Sequence, residues 1–242
     1  MNTSSRRVKW LLLVVLLIVI GVCLYFLWRE KTLGVIHGPL VTGLRVGIIA
    51  CALGGWFISQ SLIGARQING GEIGDGVHDL TSALHGYLEA RPQMVSGILI
   101  VSSAFVDLFG VFLIGVSVFG TTVRPFVALL ILFMLRQVCQ GLCALPIPPK
   151  MIWKDPGVPS LFVTYGVSND FFFSGHTAVA VLGAVEMARN FPWWVGVLAG
   201  LAAFIEAAVV LVLRAHYTMD VIAAVFAVYF AIHLSDWVFS LI

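Results

Sequence analysis

The chain is 242 residues long, 60% hydrophobic and 11% charged, with a formal net charge of +2. That balance excludes a soluble domain and indicates a polytopic membrane protein. So small a charge gives no reason to expect nucleic acid as a partner.

Met1 to Lys9 is polar and basic and precedes an apolar run from Trp10 to Trp28. The run is long for a signal-peptide core and lacks a small-residue cleavage pattern before Arg29-Glu30-Lys31, so a retained anchor helix is expected. Further apolar runs fall near 44–64, 94–120, 126–144, 171–190, 193–214 and 217–239. Runs of ~20 residues match a hydrocarbon core of ~30 Å. The expectation is an all-α, multi-pass integral membrane protein, with an anchor and linker over 1–43 and a membrane domain over 44–242. Cys23, Cys51, Cys139 and Cys143 all fall in apolar runs and read as small packing residues.

Alternation of the spans puts the 65–93 loop, the 145–170 loop and the 214–218 turn on one membrane face. The other face receives the short turns at Thr121-Thr122 and Asn190-Phe191. In the first long loop, residues 78–90 read as an interfacial amphipathic helix with Leu80, Leu84 and Leu88 on one side. His78 and Asp79 are not expected to hold a metal. Pro146, Pro148, Pro149, Pro156 and Pro159 prevent the second loop from being helical throughout. It is expected to cover the membrane face stiffly, carrying Lys150, Trp153, Lys154 and Asp155, with a solvated linker as the alternative.

Ionisable residues fall inside the spans: Asp107, Arg136, Glu186, Glu206, and near the end His233 and Asp236. Such groups face a bundle interior or a wet cavity. Arg136 has two readings: an ion pair with Glu186 or Glu206, or a cation that rises to hold phosphate.

The chemistry concentrates at the two ends of one helical hairpin. Asp170-Phe171-Phe172-Phe173-Ser174-Gly175-His176-Thr177 precedes the first arm, 177–190, and Arg214-Ala215-His216-Tyr217-Thr218-Met219-Asp220 follows the second, 193–214. Reversal at Pro192 returns the chain to its starting face, so His176 and His216 should meet there. Ser174 suits an N-cap, and Gly175 lets helix-start N–H groups approach an oxyanion. Asp220 follows His216 by four residues. It is therefore placed to bond one ring nitrogen and leave the other for attack. Satisfied interfacial histidines are the alternative, but the matched neighbours at both ends favour a site.

Ser174-Gly175-His176-Thr177 and His216-Tyr217-Thr218-Met219-Asp220 resemble the paired motifs of the phosphatidic acid phosphatase type 2 superfamily of lipid phosphatases and phosphotransferases. The likeness is nearest to its sphingomyelin synthase and phosphatidylcholine:diacylglycerol cholinephosphotransferase branch. Asp170 matches the acid preceding that branch's SGHT, and Arg136 with Leu145-Pro146-Ile147-Pro148 matches a third motif. The resemblance implies a six-helix transmembrane catalytic core, to which the first helix would be an addition. It implies His216 as nucleophile, His176 as general acid and base, and transfer of a phospho-head-group, phosphocholine or phosphoethanolamine, from a phospholipid donor to a lipid alcohol. Arg136, Arg214, Lys150 and the helix start at Ser174 and Gly175 would hold the phosphate, with neither metal nor other cofactor.

The phosphatase branch carries extra cations in KxxxxxxRP and SRxxxxxH motifs. Here Arg124-Pro125 is present, but Ser117 takes the lysine position and Val209-Val210 replaces Ser-Arg. Fewer cations suit a phosphodiester, which favours transfer over hydrolysis of a phosphatidic acid-like monoester. Trp153, Tyr165 and Phe171 to Phe173 are candidates for a choline cage. A non-enzymatic lipid carrier or scramblase would account for the intramembrane charges, but not for the paired histidine motifs.

Overall fold

The computed structural model describes residues 39–64, 73–165 and 171–241; the expected anchor at 10–28 and Asp170 lie outside them. Eight helices are present among the described residues: α1 (Pro39–Gly64), α2 (Gly76–Leu80), α3 (Ser82–Glu89), α4 (Pro92–Phe119), α5 (Arg124–Leu142), α6 (Gly175–Asn190), α7 (Trp193–Val212) and α8 (Thr218–Ser240). Five of them, α1, α4, α5, α7 and α8, are long and apolar enough to cross a bilayer, which makes the chain a multi-pass integral membrane protein. Each begins close to where the apolar pattern does. Pro92 and Pro125 occupy first-turn positions, where a missing N–H costs nothing.

Helix α6 packs against α4, α5, α7 and α8. Glycines allow its close neighbours. A Cβ on Gly183 would lie 2.5 Å from the Phe109 ring, and one on Gly196 would lie 2.6 Å from the Ala188 methyl. Around this contact sit Phe109, Leu113, Phe126, Leu132 and Leu182, all buried.

On the face opposite the histidines, charge closes the bundle. Arg124 bonds Glu186 at 2.6 Å and Asp236 at 2.9 Å, while Arg189 bonds Asp236 at 2.7 Å. Glu186 is thus partnered by Arg124, not by Arg136. Glu206 instead accepts from the Ser102 hydroxyl at 2.7 Å. The physical reason is depth: each carboxylate lies turns away from the helix start that Arg136 reaches.

The histidine face carries the long loops. Residues 78–90 do not form one helix, because the chain breaks at Thr81, whose hydroxyl turns back to the Val77 carbonyl at 2.7 Å. Leu88 is buried, but Leu80 is 84% exposed, and it is His78 and His85 that turn inward. The 145–165 stretch is free of helix and dips into the bundle. Asp107 anchors it, accepting from the Ser160 hydroxyl at 2.9 Å and from the backbone N–H groups of Leu161 and Phe162 at 2.9 and 3.0 Å. Phe162 then packs so closely on Gly110 that a Cβ there would be 2.5 Å from its ring. Irregular backbone within a bundle is tolerated where its donors end on protein, as those of Leu161, Phe162 and Val163 do. Cys51 and Cys143 are exposed, not packed inside as expected, and Cys139 is half-buried.

Candidate active site

The end of α7 builds the first wall. A helix leaves its last carbonyls without internal partners. Here Leu211 O accepts from Arg214 N, Leu213 O from Ile152 N, and Val212 O from the His85 Nδ1 at 2.8 Å. The chain then reverses through Arg214 at φ 55° and reaches His216. Tyr217 caps α8, and the Asp220 carboxylate reaches back to its N–H at 3.0 Å. The same oxygen lies 3.2 Å from His216 Nδ1. One carboxylate oxygen therefore fixes both the helix start and the imidazole. That leaves Nε2 as the ring nitrogen directed away from Asp220.

The second wall is the start of α6. Ser174 is the N-cap, accepting from Thr177 N at 3.3 Å and from the Thr177 hydroxyl at 3.0 Å. Phe172 and Phe173 before it have φ of 71° and 96°, the left-handed region that bulky side chains avoid. Such conformations cost about 1–3 kcal/mol each and persist where surroundings over-determine them. Here Ser174 N donates to the Asp220 carbonyl at 3.1 Å, and Arg136 Nε to the Phe173 carbonyl at 3.2 Å.

Between the walls is a cavity lined by His176, His216, Gly175 and Arg136. His176 Nε2 is buried there without a hydrogen-bond partner. The Trp153 ring meets His176 edge-on at 5.0 Å, and Tyr165 backs Trp153 at 5.1 Å. Phe171 stands edge-on to His216 at 6.1 Å. Arg136 is buried, and its Nη1 donates to Gln60 Oε1 at 2.8 Å. A Cβ on Gly175 would come within 3.3 Å of Arg136 Nε, so glycine lets the guanidinium lie against the helix start. Cation, helix N–H groups and two imidazoles thus face one space, which suits a phosphoryl group.

The structure brings His176, His216, Asp220, Ser174, Gly175 and Arg136 together, and places other candidates elsewhere. Arg214 donates to the carbonyls of Pro149 and His78 at 3.2 and 3.5 Å, tying the loops. Lys150 is exposed at a turn with φ 58° and is not among the residues lining the cavity. Of the aromatic candidates, Trp153 and Phe171 line the cavity, and Phe173 is packed in the core. Sequence reasoning missed Trp56, Gln60, Phe133 and Phe162, which also line it. Gln60, a polar residue within an apolar run, was the available signal for α1. The aromatics carried none, being indistinguishable from core residues.

A family model described as AtPDCT1/2 matches residues 75–237. The chain belongs to the phosphatidylcholine:diacylglycerol cholinephosphotransferase family. It gives no significant match to any curated protein or to any solved structure. The matched region begins at Asp75, ahead of α2, and runs almost to the end of α8, so it spans His176, His216, Asp220 and Arg136. Membership of this family makes the chain an enzyme that acts on phospholipids as a transferase. Among the described residues, no group of three or more His, Cys, Asp or Glu is arranged to hold a metal ion.

Proposed function

We propose that the protein transfers phosphocholine from a glycerophospholipid to diacylglycerol through a phosphohistidine intermediate. The observation that carries this reading is the shared cavity: Asp220-held His216, partnerless His176 Nε2 and Arg136 line it together with five aromatic rings. Among the described residues that line it there is no carboxylate. Trp56, Phe133, Trp153, Phe162 and Phe171 line it, and aromatic rings attract a quaternary ammonium.

In the first step His216 Nε2 attacks phosphorus in line. The bond to the diacylglycerol oxygen breaks as His176 gives that oxygen its proton. The anionic phosphodiester itself favours a protonated His176 beside it. Asp220 stabilises the charge that His216 acquires. In the second step the incoming alcohol yields its proton to His176 and attacks phosphorus, and the P–N bond breaks to restore His216. Arg136 and the α6 N–H groups stabilise the equatorial oxygens throughout.

On this reading α6, with 16 residues, is the sixth helix of a lipid phosphatase-type core, and the 10–28 run is an added anchor. Hydrolysis of a phosphomonoester is the runner-up. It is disfavoured because Arg124, the one phosphatase-type cation in place, is held by Glu186 and Asp236 on the opposite face. The test is exchange: purified protein in phosphatidylcholine vesicles is given labelled diacylglycerol. Label should move into phosphatidylcholine without free phosphocholine appearing. Release of inorganic phosphate from phosphatidic acid, with no exchange, would replace transfer by hydrolysis.

A further inference from the structure

The α2–α3 segment lines none of the catalytic cavity described above, and the mechanism uses none of its residues. Yet its side-chain bonds to other elements converge on residues 212–218. Asp75 Oδ2 accepts from Thr218 N at 2.6 Å, and Oδ1 from the Thr218 hydroxyl at 2.6 Å. His78 Nε2 bonds the His216 carbonyl at 2.9 Å, and His85 Nδ1 the Val212 carbonyl at 2.8 Å. Both histidines are buried, and the His78 ring stacks on Tyr217 at 5.8 Å.

The His216 turn needs such support. It lies between two helices, follows a left-handed Arg214, and contains no helical bond that would fix the His216 carbonyl. Asp220 orients the ring, but only as well as the start of α8 is itself placed. Asp75 bonds the first residue of α8 with both oxygens. The same carboxylate also caps α2 through Val77 N at 3.0 Å, so the two helix starts are locked to one group. We propose that Asp75 and His78 are positioning residues that hold His216 in line for attack. The inference rests on the reading of His216 as the nucleophile. A displacement of about 1 Å at a reacting atom can cost ~10²-fold in rate, which sets the scale of the effect.

The test uses the full chain and a nitrophenyl ester of phosphocholine, whose acidic leaving group makes nitrophenol release a direct reading of His216 attack. Positioning predicts that His78→Leu lowers the burst rate constant roughly 10- to 100-fold. Burst amplitude per folded protein and KM should stay within about twofold of wild type, and His78→Gln, which keeps an N–H donor, should recover most of the rate. Thr218→Val, which touches neither histidine, should lower the rate constant several-fold and serves if His78→Leu does not fold. A wild-type rate constant in both variants overturns the proposal, as does a loss confined to burst amplitude. His216→Ala run alongside separates the two claims. If it is inactive while His78→Leu and Thr218→Val are both unaffected, only the positioning role fails. If it is active, the nucleophile assignment fails, and the positioning role with it.

Discussion

Ser174 N–H donates to the Asp220 carbonyl at 3.1 Å, joining by one backbone bond the two segments that carry the histidines. The start of α6 and the start of α8 are therefore one structural unit. His176 and His216 keep their relation even though they lie 40 residues apart in the chain. Substitutions in either segment should act on chemistry more than on lipid affinity.

Asp220→Asn tests the orienting carboxylate. Its Oδ2 accepts from both His216 Nδ1 and Tyr217 N, and an amide in its place is uncharged and can turn a donor NH2 towards the ring. Loss of the charge and of the ring's tautomer should lower kcat by about 10²–10⁴-fold with little change in KM, as in triads with a neutralised acid. Labelled intermediate at wild-type yield in the Asn variant would remove Asp220 from this role.

His176→Ala separates leaving-group protonation from attack. With a natural phospholipid the variant should form the intermediate ~10²–10⁴-fold more slowly. A nitrophenyl leaving group should restore most of the rate, because its oxygen needs no proton. Equal impairment on both substrates would make His176 a phosphate-positioning group instead.

Asp107→Ala should loosen the loop that carries Phe162. The carboxylate takes two backbone N–H groups and the Ser160 hydroxyl, and leaving such donors unmet costs about 1–3 kcal/mol. The expected outcome is a melting temperature lower by several degrees and a raised KM, read by thermal unfolding in detergent and by exchange kinetics. An unchanged KM would show that Phe162 does not shape the substrate site.

Asp75 predicts an acid limb. Burial pushes its carboxyl up, but bonds from the Thr218 hydroxyl and backbone, with His78 nearby, outweigh that and hold it below the usual 3.8. A depressed carboxylate contributes stability above its unfolded value, and the contribution is lost as pH falls through its folded one. Wild type should therefore exceed Asp75→Asn in melting temperature at neutral pH. The gap should shrink as pH falls below about 3.8. A gap that does not change with pH would mean the carboxylate's charge is not what matters.

Much of this arrangement was legible in the sequence, because periodicity and spacing encode it. The apolar runs located the helices within a few residues, and the four-residue interval from His216 to Asp220 located their bond. What remained hidden depends on long-range contacts that local pattern does not record. Leu80, Leu84 and Leu88 gave a helical stripe, yet of these only Leu88 is buried, and His78 and His85 turn inward beside it, where the carbonyls of His216 and Val212 stand opposite them. Arg136 carried no sign of its partners. Its contact with Gln60 arises only where α1 meets α5. Arg214 looked like a phosphate cation, but a left-handed turn aims it at backbone carbonyls.

The most direct test of the account is to trap the intermediate. Enzyme mixed with phosphatidylcholine labelled in its phosphorus and quenched within one turnover should carry protein-bound label that is stable in base and labile in acid. Mapping should place that label on His216. His216→Ala should carry none, and adding diacylglycerol to the labelled wild type should discharge it into phosphatidylcholine. Steady turnover by wild type with no bound label, or label on any other residue, would contradict the central claim.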